Sequence, residues 1–332
     1  MNAEERFRTI ERNTLEIIDE GELKELLKKD RPKVYCGYEV SGMVHIGTMV
    51  TVQKLLDFQK AGFEVIVLFA DVHTLLNRKG SEGWINDMCE YWKQCFIALG
   101  MDEKKTRFVK GSSFQLKPEF FKDVMALALN TTVNRATRSM QEVARELENA
   151  RVSQIIYPLM QAVDIKHLDV DVAYGGIEQR KINMLGREEL KKLGYRKPVC
   201  VHTPLIVSLG GPESKMSSSK PETIISVHEE TKSLENKIKK AYCPAGDKEN
   251  NPILDIFKFF IFSKNDKVVI ERPEKFGGNL EFNSYEELEK AFVEGLHPMD
   301  LKSACSRYLI EYLKPVRAHF EKNPELLNVV ES

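Results

Sequence analysis

Two short strings carry residue types that suit phosphate chemistry. The first is Ser41-Gly42-Met43-Val44-His45-Ile46-Gly47-Thr48. It lies where a β-prone run at 34–38 gives way to a segment whose apolar residues Ile46, Met49, Val52, Leu55 and Leu56 have helical spacing. A helix start there presents free amides and a positive dipole end to a phosphate. Gly47 lets a nucleotide approach the backbone, and His45 is placed to donate to a phosphate oxygen. A capped turn beside a packing glycine accounts for the same letters. The second string is Lys215-Met216-Ser217-Ser218-Ser219-Lys220, preceded by Leu209-Gly210-Gly211-Pro212. Gly, Ser and Lys ordinarily make a flexible polar loop. The functional alternative is a loop whose Lys215 ammonium and hydroxyls close over a polyphosphate as charge builds on departing pyrophosphate. Neither string is specific alone. Their order, and a separation of 170 residues from His45 to Lys215 with alternating helix and strand patterns between, make the pair specific.

The elements that must position these strings follow from hydrophobic pattern. The run at 34–38, a helix over 46–60 stopped by Ala61-Gly62, and an unbroken apolar run at 65–70 make a βαβ unit with a strand buried on both faces. A helix over 84–99 and a strand at 107–110 repeat the alternation of an open α/β sheet. Residues 118–147 read as helix inserted in that sheet, and 199–202 as a further strand. After about residue 230 the pattern is amphipathic helix with one β-prone piece at 268–271. Ser284 and Glu287 have capping-box spacing, and a helix over 299–313 should stop near Pro315.

Composition narrows the function classes. The 332 residues, 42% hydrophobic, suffice for one large or two ordinary globular domains. The 49 basic and 50 acidic residues give a formal charge of −1, so no global field attracts nucleic acid or an anionic membrane, and an RNA partner must bind a local patch. No run approaches the roughly 18 apolar residues of a bilayer span and the N-terminus does not read as a signal peptide, so a cytoplasmic protein with no membrane partner is expected. The six cysteines are scattered, with no metal-ligand spacing, and read as reduced thiols; no protein-bound metal is expected.

His45-Ile46-Gly47-Thr48 resembles the HIGH signature, and Lys215 to Ser219 the KMSKS signature, of class I aminoacyl-tRNA synthetases. The intervening residues resemble the tyrosyl branch of archaeal type. Val34-Tyr35-Cys36-Gly37-Tyr38-Glu39, Ala70-Asp71-Val72-His73, Tyr157-Pro158-Leu159-Met160-Gln161-Ala162-Val163-Asp164 and Gly175-Gly176-Ile177-Glu178-Gln179-Arg180-Lys181 lie in that family's order. Arg272-Pro273-Glu274-Lys275-Phe276-Gly277-Gly278 and His297-Pro298-Met299-Asp300-Leu301-Lys302 extend the likeness almost to the end.

The resemblance implies an α/β fold. A Rossmann-like parallel-sheet catalytic domain would span 1–230, with a helical insertion at about 112–150 and the KMSSS loop at 209–220, followed by an all-α anticodon-binding domain at 231–332. It implies activation of L-tyrosine by ATP with Mg²⁺, then transfer to the terminal adenosine of tRNA(Tyr), in a homodimer whose contact lies in the insertion. Tyrosine would be held by Tyr35, Gly37, His73, Tyr157, Gln161, Asp164 and Gln179, with Tyr35 and Asp164 on the phenol hydroxyl. ATP would meet Ser41, Gly42, His45, Gly47, Glu178, Lys215 and Ser217. His45, Thr48, Lys215 and Ser219 would be the catalytic set. Arg138, Arg180, Lys181 and Met184 match positions that meet the first acceptor-stem base pair, and Phe276, His297 and Asp300 match anticodon contacts. Apart from the family, Tyr157 and Gln161 at i and i+4 read equally as helix packing, Phe276 as a buried ring, and His297 to Asp300 as a helix cap. Residues 231–332 hold 16 basic against 17 acidic side chains, so that region carries no general RNA field.

Several positions depart from the family's pattern. Thr48 replaces the second histidine of HIGH and Val40 a proline. Thr74-Leu75 replace Ala-Tyr, and Lys166, Asp169 and Asn183 stand where His, Gly and His are common. These leave two alternatives open: an adenylating enzyme for another amino acid or acceptor, and a catalytically silent RNA-binding paralogue. Tyr35, Asp164, Lys215, Phe276 and Asp300 argue for the synthetase; Thr48 and Val40 argue for the alternatives.

Overall fold

The computed structural model describes residues 1–141, 151–213, 216 and 220–331. Lys215, Ser217, Ser219 and the 142–150 part of the expected insertion therefore lie outside the described residues. The chain divides into two compact units, one of Met1–Gly42, Lys54–Pro204 and Val329–Ser332, the other of Met43–Gln53 and Leu205–Asn328. Compactness thus parts the chain after Pro204, where the sequence reading sets a domain boundary at 230, and groups the segment around His45 with the later residues.

The first unit is built on a six-stranded sheet of β1 (Glu16–Ile18), β2 (Lys33–Tyr38), β3 (Glu64–Phe69), β4 (Thr106–Lys110), β5 (Val172–Gly176) and β6 (Val199–Thr203), in the order β1-β6-β5-β2-β3-β4. All neighbours are parallel except β1, which pairs antiparallel with β6. From β2 the chain runs outward through β3 and β4, then returns to place β5 on the other side of β2. The order reverses between β2 and β5, and a crevice at the carboxyl ends of strands at such a switch point is where open α/β sheets bind ligands. β3 is buried at five of its six residues and β5 and β6 throughout, as parallel strands covered on both faces must be.

The helices of interest are α1 (Ile46–Lys60), α2 (Glu82–Ala98), α3 (Pro118–Ala128), α4 (Val133–Ser139), α5 (Val152–His167) and α6 (Arg180–Glu189). Among its described residues, the stretch read as one helix over 118–147 forms two, α3 and α4. After Ala128 the β-branched pair Thr131-Thr132 interrupts the helix, and the Thr132 hydroxyl accepts the Arg135 amide at 3.2 Å to begin another. Phe120, Val124 and Leu127 of α3 pack on Leu159, Met160 and Val163 of α5, which fixes the helix that faces β2. Tyr35, Ile66, Leu68, Ile165, Ala173 and Cys200 form the core beneath the switch point.

The second unit is mainly helical, with α7 (Thr231–Lys240), α8 (Tyr285–Val293) and α9 (Pro298–Lys322). Its β-prone piece is strand β7 (Val268–Ile270), paired antiparallel with β8 (Leu280–Phe282), so 271–279 is a hairpin loop. Ser284 accepts the Glu287 amide at 3.2 Å, while the Glu287 carboxylate reaches back to the Asn283 amide at 2.8 Å, one residue beyond the expected capping box. Pro315 does not end α9. The apolar face continues through Leu309, Tyr312, Leu313, Val316 and Phe320, all buried, and the Arg317 guanidinium donates to the Ile310 carbonyl one turn before the proline. Continued burial outweighs the roughly 3 kcal/mol cost of an internal proline.

Candidate active site

At the switch point β2, the segment that follows β5, α5 and the turn after β3 enclose a cavity of ≈ 290 Å³, near the lower bound of about 300 Å³ for small-molecule sites. Tyr35, Gly37, His73, Tyr157, Gln161, Asp164 and Gln179 all line it, so the seven residues expected to hold tyrosine meet in one place. Gly37 is the exposed position of otherwise buried β2, and the absence of a side chain there leaves room in the cavity.

The floor of the cavity is buried and polar. Asp164 on α5 is fully buried; its Oδ1 accepts from Gln115 Nε2 at 2.7 Å and its Oδ2 has no partner among the described residues. Burial pushes this carboxyl well above the usual carboxylate range, the Gln115 hydrogen bond opposing and the Asp71 charge adding to it. Tyr35 is 2% exposed, and its hydroxyl donates only a long 3.4 Å contact to the Gln161 carbonyl; burial, then the Asp164 charge, raises its pKa far above that of a free phenol. His73 stands edge-on to Tyr157, ring centroids 4.4 Å apart, with Nε2 unpartnered. Burial lowers His73 to about 4, so it is a neutral imidazole at physiological pH. An unpartnered buried acceptor costs about 1–3 kcal/mol, and a ligand hydroxyl brought to Asp164 Oδ2 removes that cost.

Toward the carboxyl end of β5, Gln161 Nε2 donates to Gln179 Oε1 at 3.0 Å and Gln179 Nε2 to Glu178 Oε1 at 3.4 Å, a row of amide and carboxylate oxygens suited to an ammonium group. Glu39 also lines the cavity and is held by Asn77 and Lys79. Gln115, Glu39 and Lys79 escaped the sequence reading. The short helix Ser112–Gln115 offers no apolar periodicity, so a buried glutamine there looks like a surface residue.

The turn before α1 is arranged for a phosphate. The Gly47 amide donates to His45 Nδ1 at 3.1 Å, which makes Nδ1 the acceptor and puts the ring proton on Nε2, free to donate. Burial lowers His45 to about 4, so the donor is neutral. A Cβ on Gly47 would stand 2.8 Å from His45 Cε1 and 2.9 Å from Met216 Sδ, so a side chain there would displace the His45 ring or Met216, and Met216 of the second string lies against the first. His45 also bridges Ser226 antiparallel, and Ile46 donates to the Ile225 carbonyl. Thr48 is half-buried in the first turn, its carbonyl accepting the Thr51 hydroxyl at 2.8 Å. Ser41 donates its amide to the Glu39 carbonyl, and the Gly42 carbonyl accepts Trp92 Nε1.

A model described as class I tRNA synthetases (W and Y) matches residues 27–314. The chain is 54% identical over 315 residues to the tyrosine–tRNA ligase of Methanosarcina barkeri, covering 94% of this chain and 98% of that one. It is 52% identical over 319 residues to that of Methanopyrus kandleri, covering 96% and 98%. The solved tyrosyl-tRNA synthetase of Archaeoglobus fulgidus, complexed with L-tyrosine, superposes with a TM-score of 0.92 at 52% identity, over 96% of this chain and 99% of that one. The chain belongs to the tyrosine–tRNA ligase family of class I synthetases.

Five of the departures from the tyrosyl-synthetase pattern have local structural accounts. Val40 is fully buried, one apolar residue in place of another. Asp169 adopts φ 53°, the left-handed region that favours glycine, and its carboxylate is held down to about 2 by Lys33 and Arg196. Lys166 pairs with Asp123 at 2.8 Å, and buried Asn183 faces His202 Nε2 at 3.1 Å. Thr74 returns its hydroxyl to the Ala70 carbonyl. None of these five lines the cavity.

The residues that the family likeness assigns to tRNA fall in two groups. Arg138 is exposed on α4 and donates to the Asn134 carbonyl, while Lys181 on α6 donates to Gln141 at 3.2 Å. Arg180 and Met184 lie on the same helix α6. In the second unit Phe276 is 58% exposed at the tip of the β7–β8 hairpin, with Lys275 Nζ 4.9 Å from its ring centre. His297 caps α9, its Nδ1 accepting the Met299 amide at 3.1 Å, and Asp300 is in the first turn. Phe276 is thus not a core ring, whereas the His297 cap is present as the plain reading of its sequence requires.

Proposed function

We propose that this chain activates L-tyrosine with ATP and transfers it to tRNA(Tyr). The observation that carries the reading is the buried Asp164 carboxyl, its Oδ2 without a partner among the described residues, in a cavity of amino-acid size that Tyr35 also lines. A phenol hydroxyl donates to Asp164 and accepts from Tyr35, whereas phenylalanine leaves both groups unsatisfied. Tyr157, Gln161 and Gln179 hold the ammonium, and Gly37 and His73 shape the walls. Relatives named tyrosine–tRNA ligase and a neighbour complexed with L-tyrosine support the same choice over tryptophan.

In the first step a tyrosine carboxylate oxygen bonds to the α-phosphorus of ATP and the bond to the bridging oxygen breaks, releasing pyrophosphate. In the second, the hydroxyl of the tRNA's terminal adenosine attacks the tyrosyl carbonyl and AMP leaves. His45 Nε2, the amides beginning α1, Lys215 and Ser219 stabilise charge on the phosphates, with Thr48 in the place of a second histidine. Ser41, Gly42, Gly47, Ser217 and Glu178 seat the nucleotide. Positioning and preorganised donors account for most of the acceleration. Mg²⁺ on the ATP phosphates would supply neutralisation of the charge that builds on the departing pyrophosphate.

The remaining parts of the reading rest on the family. Residues 1–230 act as the catalytic domain and 231–332 as the anticodon-binding domain, with Arg138, Arg180, Lys181 and Met184 on the acceptor end and Phe276, His297 and Asp300 on the anticodon. A homodimer through the insertion is supported by Phe121, Met125 and Leu129, spaced by four on α3 and its end and exposed by 57%, 40% and 90%. No helix among the described residues is long and apolar enough to cross a membrane. The deciding experiment is exchange of labelled pyrophosphate into ATP with all twenty amino acids side by side. Exchange with tyrosine is the expected result; exchange with another amino acid, or with none, overturns the reading in favour of a repurposed or silent paralogue.

A further inference from the structure

The one antiparallel strand of the main sheet, β1, is three residues long and pairs Glu16 directly across from His202. That register brings the Glu16 carboxylate to two partners. Oε1 takes His202 Nδ1 at 2.9 Å, and both oxygens take Arg180 Nε, at 2.8 and 2.9 Å. His202 is fully buried, and its other nitrogen faces the Asn183 amide nitrogen at 3.1 Å. An amide NH₂ only donates, so His202 Nε2 is the acceptor, its proton sits on Nδ1, and that proton is given to Glu16. The direction of every hydrogen bond from Asn183 to Arg180 is therefore fixed.

Glu16 grips the guanidinium by Nε alone. Among the described residues nothing is bonded to the two terminal amino groups of Arg180, whose side chain is 43% exposed. Those groups form the fork that meets a guanine edge or a phosphate in two parallel hydrogen bonds. Ile18 and Asp19 at the end of β1 share with Met184 and Arg187, on the same helix α6 as Arg180, the wall of an open cavity of ≈ 600 Å³.

We propose that Glu16 is a positioning residue that holds the Arg180 fork in the orientation that reads the end of the tRNA acceptor stem, and that β1 exists in this fold to deliver it. The inference rests on the reading above that Arg180 meets the first base pair. An arginine left to its rotamers must be ordered at the moment of binding, whereas one clamped at Nε presents its fork already ordered.

The test uses the full-length enzyme with Glu16→Ala, Glu16→Gln and Arg180→Ala, measuring pyrophosphate exchange, tRNA charging, and charging of a tRNA whose first base pair is changed. Glu16→Ala should lower kcat/KM for tRNA by about fivefold, the lower end for one bidentate base contact, and reduce discrimination between the two tRNAs by the same factor. Tyrosine-dependent exchange should stay unchanged, and Glu16→Gln, which keeps an acceptor for Nε, should recover part of the loss. Equal falls in exchange and charging, with discrimination intact, would make Glu16 merely structural and overturn the proposal. Normal charging by Glu16→Ala alongside a loss in Arg180→Ala would overturn it while leaving the Arg180 reading in place. If Arg180→Ala charges and discriminates normally, it is the Arg180 reading that fails, and the role of Glu16 goes with it.

Discussion

Among the described residues Asp164 is 0% exposed with one oxygen bonded to Gln115 and the other without a partner, while Phe276 is 58% exposed at the tip of a hairpin with Lys275 over its ring. Both are proposed to read a substrate, and they do so by opposite physics. The buried carboxyl carries its desolvation cost in the free protein, so a ligand that supplies the missing hydrogen bond gains and one that lacks it pays. The exposed ring costs the free protein little. It contributes by stacking on an unpaired base, which adds affinity and tolerates many partners. Selectivity should therefore concentrate in the cavity and affinity should spread over the second unit's surface.

The largest effect that could break this contrast is at Asp164. Tyrosine-activating enzymes in general reject phenylalanine by about 10⁵-fold, a figure established for that class and not a result of this geometry. Asp164→Gly should remove most of that ratio, read as kcat/KM for pyrophosphate exchange with each amino acid. A ratio left intact would move the phenol elsewhere. Next in size is His45, whose neutral Nε2–H is a preorganised donor to the nucleotide. His45→Ala should cost about 10²- to 10³-fold in kcat for activation with tyrosine affinity unchanged, since its partner is a phosphate and not the amino acid. A matching rise in tyrosine KM would contradict that division of labour.

On the surface side, Phe276→Ala should raise KM for tRNA by roughly 10- to 100-fold, the range for one lost base stack, and leave pyrophosphate exchange untouched. Charging assays across tRNAs with altered anticodons sharpen the comparison. A stacking ring loses affinity similarly for all of them, whereas a ring acting as a selective contact would not.

The same contrast explains what could be read without coordinates. The β2–α1–β3 unit is legible because Val65 to Phe69 is buried on both faces and its pattern is unmistakable. Tyr35, Asp164 and Gln179 were placed by likeness to a family, and it is the crossover between β2 and β5 that brings them together. β5 was missed because Gly175 and Gly176 fill two of its five positions, and β1 because three residues cannot display a period. Pro315 misled because a local rule about one lost hydrogen bond says nothing of the apolar face that continues to Phe320. Gln115 and the Glu16–Arg180 clamp were invisible for another reason. Polar residues in short elements acquire meaning only from partners 49 and 164 positions away.

The smallest expected effect is also the most direct measure of the cost held in the cavity. Burial raises the Asp164 carboxyl well above the usual range, so the folded protein keeps a proton that the unfolded chain releases above about pH 3.9. The stability linked to that proton is complete below the unfolded value and is lost as pH rises through the folded one. Asp164→Asn cannot ionise there, while His73, lowered to about 4 and acting in the opposite sense, is common to both proteins. The variant should therefore melt higher than the parent by a few degrees at pH 8, at about 2–4 °C for each kcal/mol relieved, with the gap closing toward pH 5. Saturating tyrosine should stabilise the parent and leave the variant nearly unmoved. A melting difference that does not vary with pH would mean that Asp164 pays nothing for its burial, and the account of selectivity built on that cost would have to be abandoned.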